Sequence, residues 1–138
     1  MVAEAGARPV VVATSRTAAD ARLRSRVHDI PFEDVWQAAL ALASGDLRGW
    51  TLISANDQQG IIRAEGRTFP FRAIDDVTIR VVLDDDARTW VDASSAARAP
   101  GRDFGRNGKR VAKFFAALED LLVRRPQRAP LYRMPEGR

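Results

Sequence analysis

Val77-Thr78-Ile79-Arg80-Val81-Val82-Leu83-Asp84-Asp85-Asp86-Ala87-Arg88-Thr89-Trp90-Val91-Asp92-Ala93-Ser94-Ser95-Ala96-Ala97 is the stretch that decides the fold. Val77, Ile79, Val81 and Leu83 recur at every second position, so one face of an extended segment is apolar. Asp84-Asp85-Asp86 closes that segment, and residues 88–97 run back. Two strands joined by so short a turn must be antiparallel. The same reading extends upstream. Residues 50–55 alternate Trp50, Leu52 and Ser54 against Thr51, Ile53 and Ala55. Asn56-Asp57-Gln58-Gln59-Gly60 is a turn by composition, and residues 61–67 are its hairpin partner.

Helices flank these four strands. Pro31 suits a helix start, Glu33 and Asp34 suit its positive end, and Phe32, Val35, Trp36, Ala39, Leu40 and Ala43 recur at helical spacing until Gly45 stops them. Near the other end, Val111, Phe114, Phe115, Leu118, Leu121 and Leu122 form a second apolar stripe, with Arg124 and Arg125 at its end and Pro126 as terminator. Residues 22–30 alternate Leu23, Ser25 and Val27 against Arg22, Arg24, Arg26 and His28, which predicts a half-buried strand with a basic outer face. The expected fold is therefore α+β. It is an antiparallel sheet of β-α-β-β-β-β-α order with both helices packed on one face, a helix-grip-like arrangement. Residues 1–20 read as a loose arm with at most one short strand near Val10 to Thr14, residues 21–125 as a single domain, and residues 126–138 as a basic, Pro-rich tail.

Composition narrows the chemistry. The chain has 138 residues and no Cys, which excludes disulfides, thiolate nucleophiles and Cys-ligated metals. With His28 as the one histidine, a multi-histidine metal site is also excluded. The net charge is +4, and its excess lies in residues 101–138, where ten Lys or Arg face four acids. Arg outnumbers Lys twenty to two. The longest apolar runs are far shorter than the roughly 20 residues that span a bilayer, and the first residues lack a signal-peptide pattern. On these grounds the sequence reads as cytoplasmic, with peripheral membrane association left open. The aromatics Trp36, Phe114 and Phe115 sit on apolar faces and do not interleave with Arg, which disfavours nucleic acid as a partner.

Asp75, Asp76, Arg80, Asp92, Arg98, Arg102, Asp103 and Asn107 form the densest polar set. Facing carboxylates and guanidiniums would suit acid–base work or an anionic ligand, and Asp76, Asp92, Arg98, Arg102, Asp103 and Asn107 are the candidate ligand- or anion-binding residues. The competing reading is structural: Asp76 starts a strand, Arg80 and Asp92 oppose each other across the ladder, and Asp103 or Asn107 caps the last helix. Glycines and basic side chains from Gly101 to Arg110 suggest an anion seat at a helix start, although the pattern is neither a P-loop nor a dinucleotide fingerprint. Ser94 or Ser95 with His28 makes a poor triad, because His28 lies on the predicted basic outer row. Asp84-Asp85-Asp86 lacks the spacing of a calcium loop. No catalytic residue, metal or cofactor is assigned.

Several motifs together resemble a family. Pro31-Phe32-Glu33-Asp34-Val35-Trp36, Gly49-Trp50-Thr51-Leu52-Ile53, Gly60-Ile61-Ile62-Arg63-Ala64-Glu65 and Phe71-Arg72-Ala73-Ile74-Asp75-Asp76-Val77-Thr78-Ile79-Arg80-Val81 carry the likeness. So do Asp92, Ser95, Arg98, Asp103, Gly105, Asn107 and Arg110 in the last stretch. From about Leu23 to Leu122 the chain is similar to the bacterial and plastid domain-of-unknown-function family numbered 1499. It departs at Ser94, Ala97 and Pro100, where Arg, Ser and Gly are usual. The resemblance implies no established activity or ligand; many relatives look like envelope proteins, which makes the envelope the alternative compartment.

The leading functional expectation is a non-catalytic binding or assembly domain using a basic C-terminal surface. The alternative is an enzyme or small anionic-ligand binder using Asp76, Asp92, Arg98, Asp103 and Asn107. In the tail, Leu131, Tyr132 and Met134 would dock as apolar anchors while Arg128 and Arg133 meet an acidic protein surface. Deleting residues 126–138 should leave the thermal midpoint nearly unchanged while weakening partner association, and the association of the full chain should itself weaken as salt rises. Parallel melting and pull-down experiments check this, and a large drop in Tm with binding intact contradicts it.

Overall fold

The computed structural model describes residues 8–69 and 73–124. Its elements are β1 (Val11–Ala13), β2 (Arg26–His28), α1 (Phe32–Ala41), β3 (Trp50–Asn56), β4 (Ile61–Thr68), β5 (Ala73–Leu83), β6 (Thr89–Ala97) and α2 (Arg106–Arg124). The strands form one antiparallel sheet in the order β1-β6-β5-β4-β3, and β2 also pairs with β6. The hairpins predicted from alternation are present. The element order has one short strand more than the β-α-β-β-β-β-α expected, because β1 adds to the edge of β6.

Every second residue of the central strands enters the core: Ile62 and Ala64 from β4, Val77, Ile79 and Val81 from β5, and Val91 and Ala93 from β6. Both helices cover that face. α1 contributes Val35, Trp36 and Ala39, and α2 contributes Val111, Phe114, Phe115, Leu118 and Leu122. The Phe114 ring stacks on Trp50 with centroids 5.6 Å apart and meets Phe115 edge-on at 5.4 Å. α1 begins after Pro31 and runs into a wide turn over Leu42–Asp46, where Gly45 takes φ +130° and turns the chain towards β3. α2 thus touches the sheet from β1 and β6 across to β3, the grip anticipated from the apolar stripes.

β1 is the short strand expected near Val10 to Thr14, and it and β2 tie the segment from Val10 onward to β6. β1 lies opposite Ser94 to Ala96 and β2 opposite Thr89 to Val91, so the two share one edge of β6 end to end. At their junction the Asp92 carboxylate accepts hydrogen bonds from Thr14 Oγ1 (2.7 Å) and from Ser25 Oγ. Arg16 lies over the Trp90 ring at 3.7 Å and holds the arm further.

The strand predicted over residues 22–30 needs a correction. Only Arg26–His28 is extended, while Ala21–Leu23 forms a single 3-10 turn capped by Asp20. Its faces are also reversed. Val27 is 42% exposed, whereas Arg26 turns inward, lies over Phe115 at 4.6 Å and donates to Glu119 at 3.0 Å. A guanidinium that finds both an aromatic face and a carboxylate on α2 outcompetes one valine for the inner side. His28 follows Arg26 inward. Its Nε2 is buried without a hydrogen-bond partner among the described residues, and burial lowers its pKa. The expected contacts of Arg128, Leu131, Tyr132, Arg133 and Met134 fall outside the described residues.

Phe114 has no exposed surface. Phe114→Ala should destabilise the domain by about 3–5 kcal/mol, read from urea unfolding. A loss under about 1 kcal/mol would show that the helix does not bury this face.

Candidate functional site

Strand parity that carries Val77 inward carries Asp75 inward too, and its side chain has no exposed surface. A carboxylate so placed needs cationic partners. α2 supplies both from its first turns: Arg106 Nε and Nη2 grip Oδ2 and Oδ1 at 2.8 and 2.7 Å, and Arg110 Nη1 binds Oδ2 as well. Burial pushes the Asp75 pKa up, but the hydrogen bonds from Arg106 and Arg110 outweigh it and hold the carboxyl below the usual range. Arg110 also reaches Thr68 Oγ1 at 2.8 Å, Asn107 Oδ1 at 3.3 Å and Ser95 Oγ at 3.4 Å. Its stem lies against β4 at Gly66, where an added Cβ would stand 2.4 Å from Arg110 Nε. Glycine at that position makes room for the arginine.

The start of α2 is fixed by a second carboxylate. Asp103 Oδ1 accepts from Gly105 N at 2.9 Å, and Oδ2 accepts from Asn107 N and Asn107 Nδ2, both at 3.0 Å. Burial opposes ionisation of Asp103, and these bonds from Asn107 and Gly105 overcome it, lowering the pKa. Asn107 Oδ1 in turn accepts from Ser95 Oγ at 2.5 Å. Between Asp103 and Gly105, Phe104 adopts φ +53° with its ring exposed.

Beside this network lies a groove of about 1110 Å³, bounded by α2 on one side and by the start of β3 and end of β4 on the other. Seven cationic residues border it against one carboxylate, Asp103. On the helix wall, Arg106, Lys109, Arg110 and Lys113 repeat at three- and four-residue spacing, with Lys109 and Lys113 exposed and Arg110 buried against Gly66 and Asp75. Across from them are Arg48 and Arg67, with Trp50 and Phe69 between. Arg22 completes the cationic set but is paired with Asp20 at 2.9 Å. Arg106 and Arg110 share one carboxylate, so the pair keeps an excess positive charge. Arg67, Lys109 and Lys113 make no ion pair among the described residues. Lys109 and Lys113, one turn apart on this wall, are the only lysines of the chain.

The six residues singled out from the sequence do not form one site. Asp76 and Arg98 pair at 2.5 Å on the outer face of the sheet, where Arg98 also reaches Glu65 at 2.8 Å. Asp92 faces outward too and is occupied with Thr14 and Ser25. Arg102 is exposed near the start of α2, while Asp103 and Asn107 belong to the inner face. The sheet itself separates the two groups, since neighbouring strand residues point to opposite sides. Ser94 and His28 are divided in the same way: Ser94 points outward and His28 inward. The sequence reading missed Arg106, Lys109, Arg110 and Lys113 as a stripe and Asp75 as their anchor. Parity with Val77 was the available signal for Asp75.

An antiparallel sheet gripping a long C-terminal helix, with a cationic groove beside that helix's first turns, defines a helix-grip-like α+β domain. The chain belongs to the family of proteins of unknown function DUF1499, whose model matches residues 2–118. Among solved structures it is similar to protein MLL2253 from Mesorhizobium loti, with 16% identity and a TM-score of 0.52 over 87% of this chain and 100% of that one. It also matches CalU16 from Micromonospora echinospora (14% identity, TM-score 0.48, 84% of this chain and 89% of that one). A third match is the ZhuI aromatase/cyclase from Streptomyces sp. R1128 (14% identity, TM-score 0.40, 85% and 96%). The likeness to MLL2253 is one of fold. Comparison with curated protein sequences gives no match.

Because the Asp75 pKa is lower folded than unfolded, its charge contributes stability above about pH 4 that is lost as pH falls through the folded value. Asp75→Asn should cost about 3–5 kcal/mol at neutral pH, since it leaves the buried Arg110 and half-buried Arg106 guanidiniums facing each other without their anion. It should also flatten the acid side of the stability curve. Urea unfolding across pH checks both, and wild-type behaviour in both would show that the network does not couple α2 to the sheet.

Proposed function

We propose that this chain is a non-catalytic binding domain whose groove takes an anionic ligand bearing phosphate, sulfate or carboxylate groups. The observation that carries the reading is the imbalance of the groove wall: seven cationic residues border about 1110 Å³ with one carboxylate, and Arg48, Arg67, Lys109 and Lys113 stand outside the ion pairs that Asp20 and Asp75 make with the other three. That carboxylate already spends its oxygens on the start of α2, and Ser95 donates to Asn107, so these polar groups hold the wall in place. Clefts lined by one sign of charge focus the field and concentrate counter-ions. In this reading the basic surface is the groove side of α2 and not the tail.

Inositol hexakisphosphate is a suitable soluble probe, titrated calorimetrically into the full chain. Binding should weaken as salt rises, and Lys109→Glu/Lys113→Glu should weaken it by at least about tenfold. Arg63→Glu/Arg80→Glu makes the same change in net charge on exposed outward positions of β4 and β5, and should leave binding nearly intact. Equal losses in the two double variants would mean that the probe senses net charge and not the groove.

A further inference from the structure

We infer that the rim of this groove docks on an anionic lipid bilayer, with Phe104 and Phe69 as apolar anchors. The inference takes its charge from the anionic-ligand reading, but its partner from the rim. Phe104 is 83% exposed and Phe69 55% exposed, and both border the groove. Phe104 keeps a left-handed backbone that a bulky residue rarely adopts, and the Asp103 bonds to Gly105 and Asn107 hold that turn in place. The turn therefore presents the ring to solvent.

Arg48, Arg67, Lys109 and Lys113 border the same groove as these rings. Apolar rings set among cations outside any ion pair match a membrane interface, where rings enter the acyl boundary and nearby cations are drawn to the anionic surface. Lysine suits the second role as a compact charge on a flexible stem that reaches headgroups without a fixed geometry. Single-stranded nucleic acid would need open ring faces for stacking, yet Arg48 already lies over the Phe69 ring at 5.5 Å. A bilayer asks only for the exposed edges of the rings. No described helix is long and apolar enough to cross a membrane, so the contact proposed is peripheral.

The test is flotation of the full chain with vesicles of pure phosphatidylcholine and of phosphatidylcholine containing phosphatidylglycerol. The chain should float with the anionic vesicles alone, and less so as salt rises. Phe69→Ala/Phe104→Ala should lower that partitioning by at least about tenfold, a larger loss than the same variant shows for inositol hexakisphosphate. Because the chain has two lysines, chemistry separates charge from shape: acetylation should weaken flotation and reductive methylation, which keeps the charge, should not. A Lys109→Arg/Lys113→Arg control accounts for the amino terminus, which both reagents modify. If the wild-type chain binds the soluble probe but floats with neither vesicle, the membrane inference fails and the groove reading stands. If the phenylalanine variant floats like wild type, the anchors are wrong. A single-stranded oligonucleotide that outcompetes anionic vesicles, in a manner dependent on the two rings, would assign the surface to nucleic acid instead.

Discussion

One buried carboxylate governs how this molecule is assembled. Asp75 sits on the apolar side of the central strand, where an isolated charge is intolerable, and the same helix supplies both guanidiniums that neutralise it. Hydrophobic packing alone leaves α2 free to slide or rotate by small amounts over the sheet. A bidentate Arg106 contact combined with Arg110 on the same oxygen permits one register. From that register follow the glycine at position 66, the hydroxyl at Thr68, and the Ser95–Asn107 bond that meets the helix start from β6. The tie also has an electrostatic remainder, since two cations on one anion leave positive charge at the edge of the groove.

The parts of the fold that rest on period were legible in the sequence. Val77, Ile79 and Val81 announce β5, and Val111, Phe114, Phe115 and Leu118 announce the core face of α2, because repeated burial leaves a repeated pattern. β2 shows where the rule stops. Over three residues no period can be established, and Arg26 reversed the faces through Phe115 and Glu119, two partners more than eighty positions away. The site was less legible for a similar reason. Polar residues close in sequence, such as Asp75 and Asp76, lie on opposite sides of a strand, whereas Arg48, Arg67 and Lys109 meet only once β3, β4 and α2 have come together. Cations spaced along a helix read from sequence as ordinary surface. They become a wall only when another wall faces them.

The likeness to MLL2253 at 16% identity separates architecture from occupation. A sheet that grips a helix can be built from many sequences, because its demands are alternation on the strands and one apolar stripe on α2. The demands of the groove are of another kind: a charge balance, two exposed rings and two lysines one turn apart. These properties belong to this chain, and shared architecture does not carry them from one protein to another.

The sharing of β6 by β1 and β2 has a consequence during synthesis. The hydroxyl of Thr14 waits for Asp92, 78 positions downstream, and neither short strand has a sheet edge to join until β6 exists. At typical translation rates that interval is about 4–16 s, long against the microseconds in which hairpins form. The β3–β4 hairpin and then β5 therefore have time to zip together on the ribosome while β1 and β2 remain unpaired. The two strands made before the rest of the sheet are then among the last to be placed, and they close the edge of β6 that would otherwise stay open to a neighbouring chain.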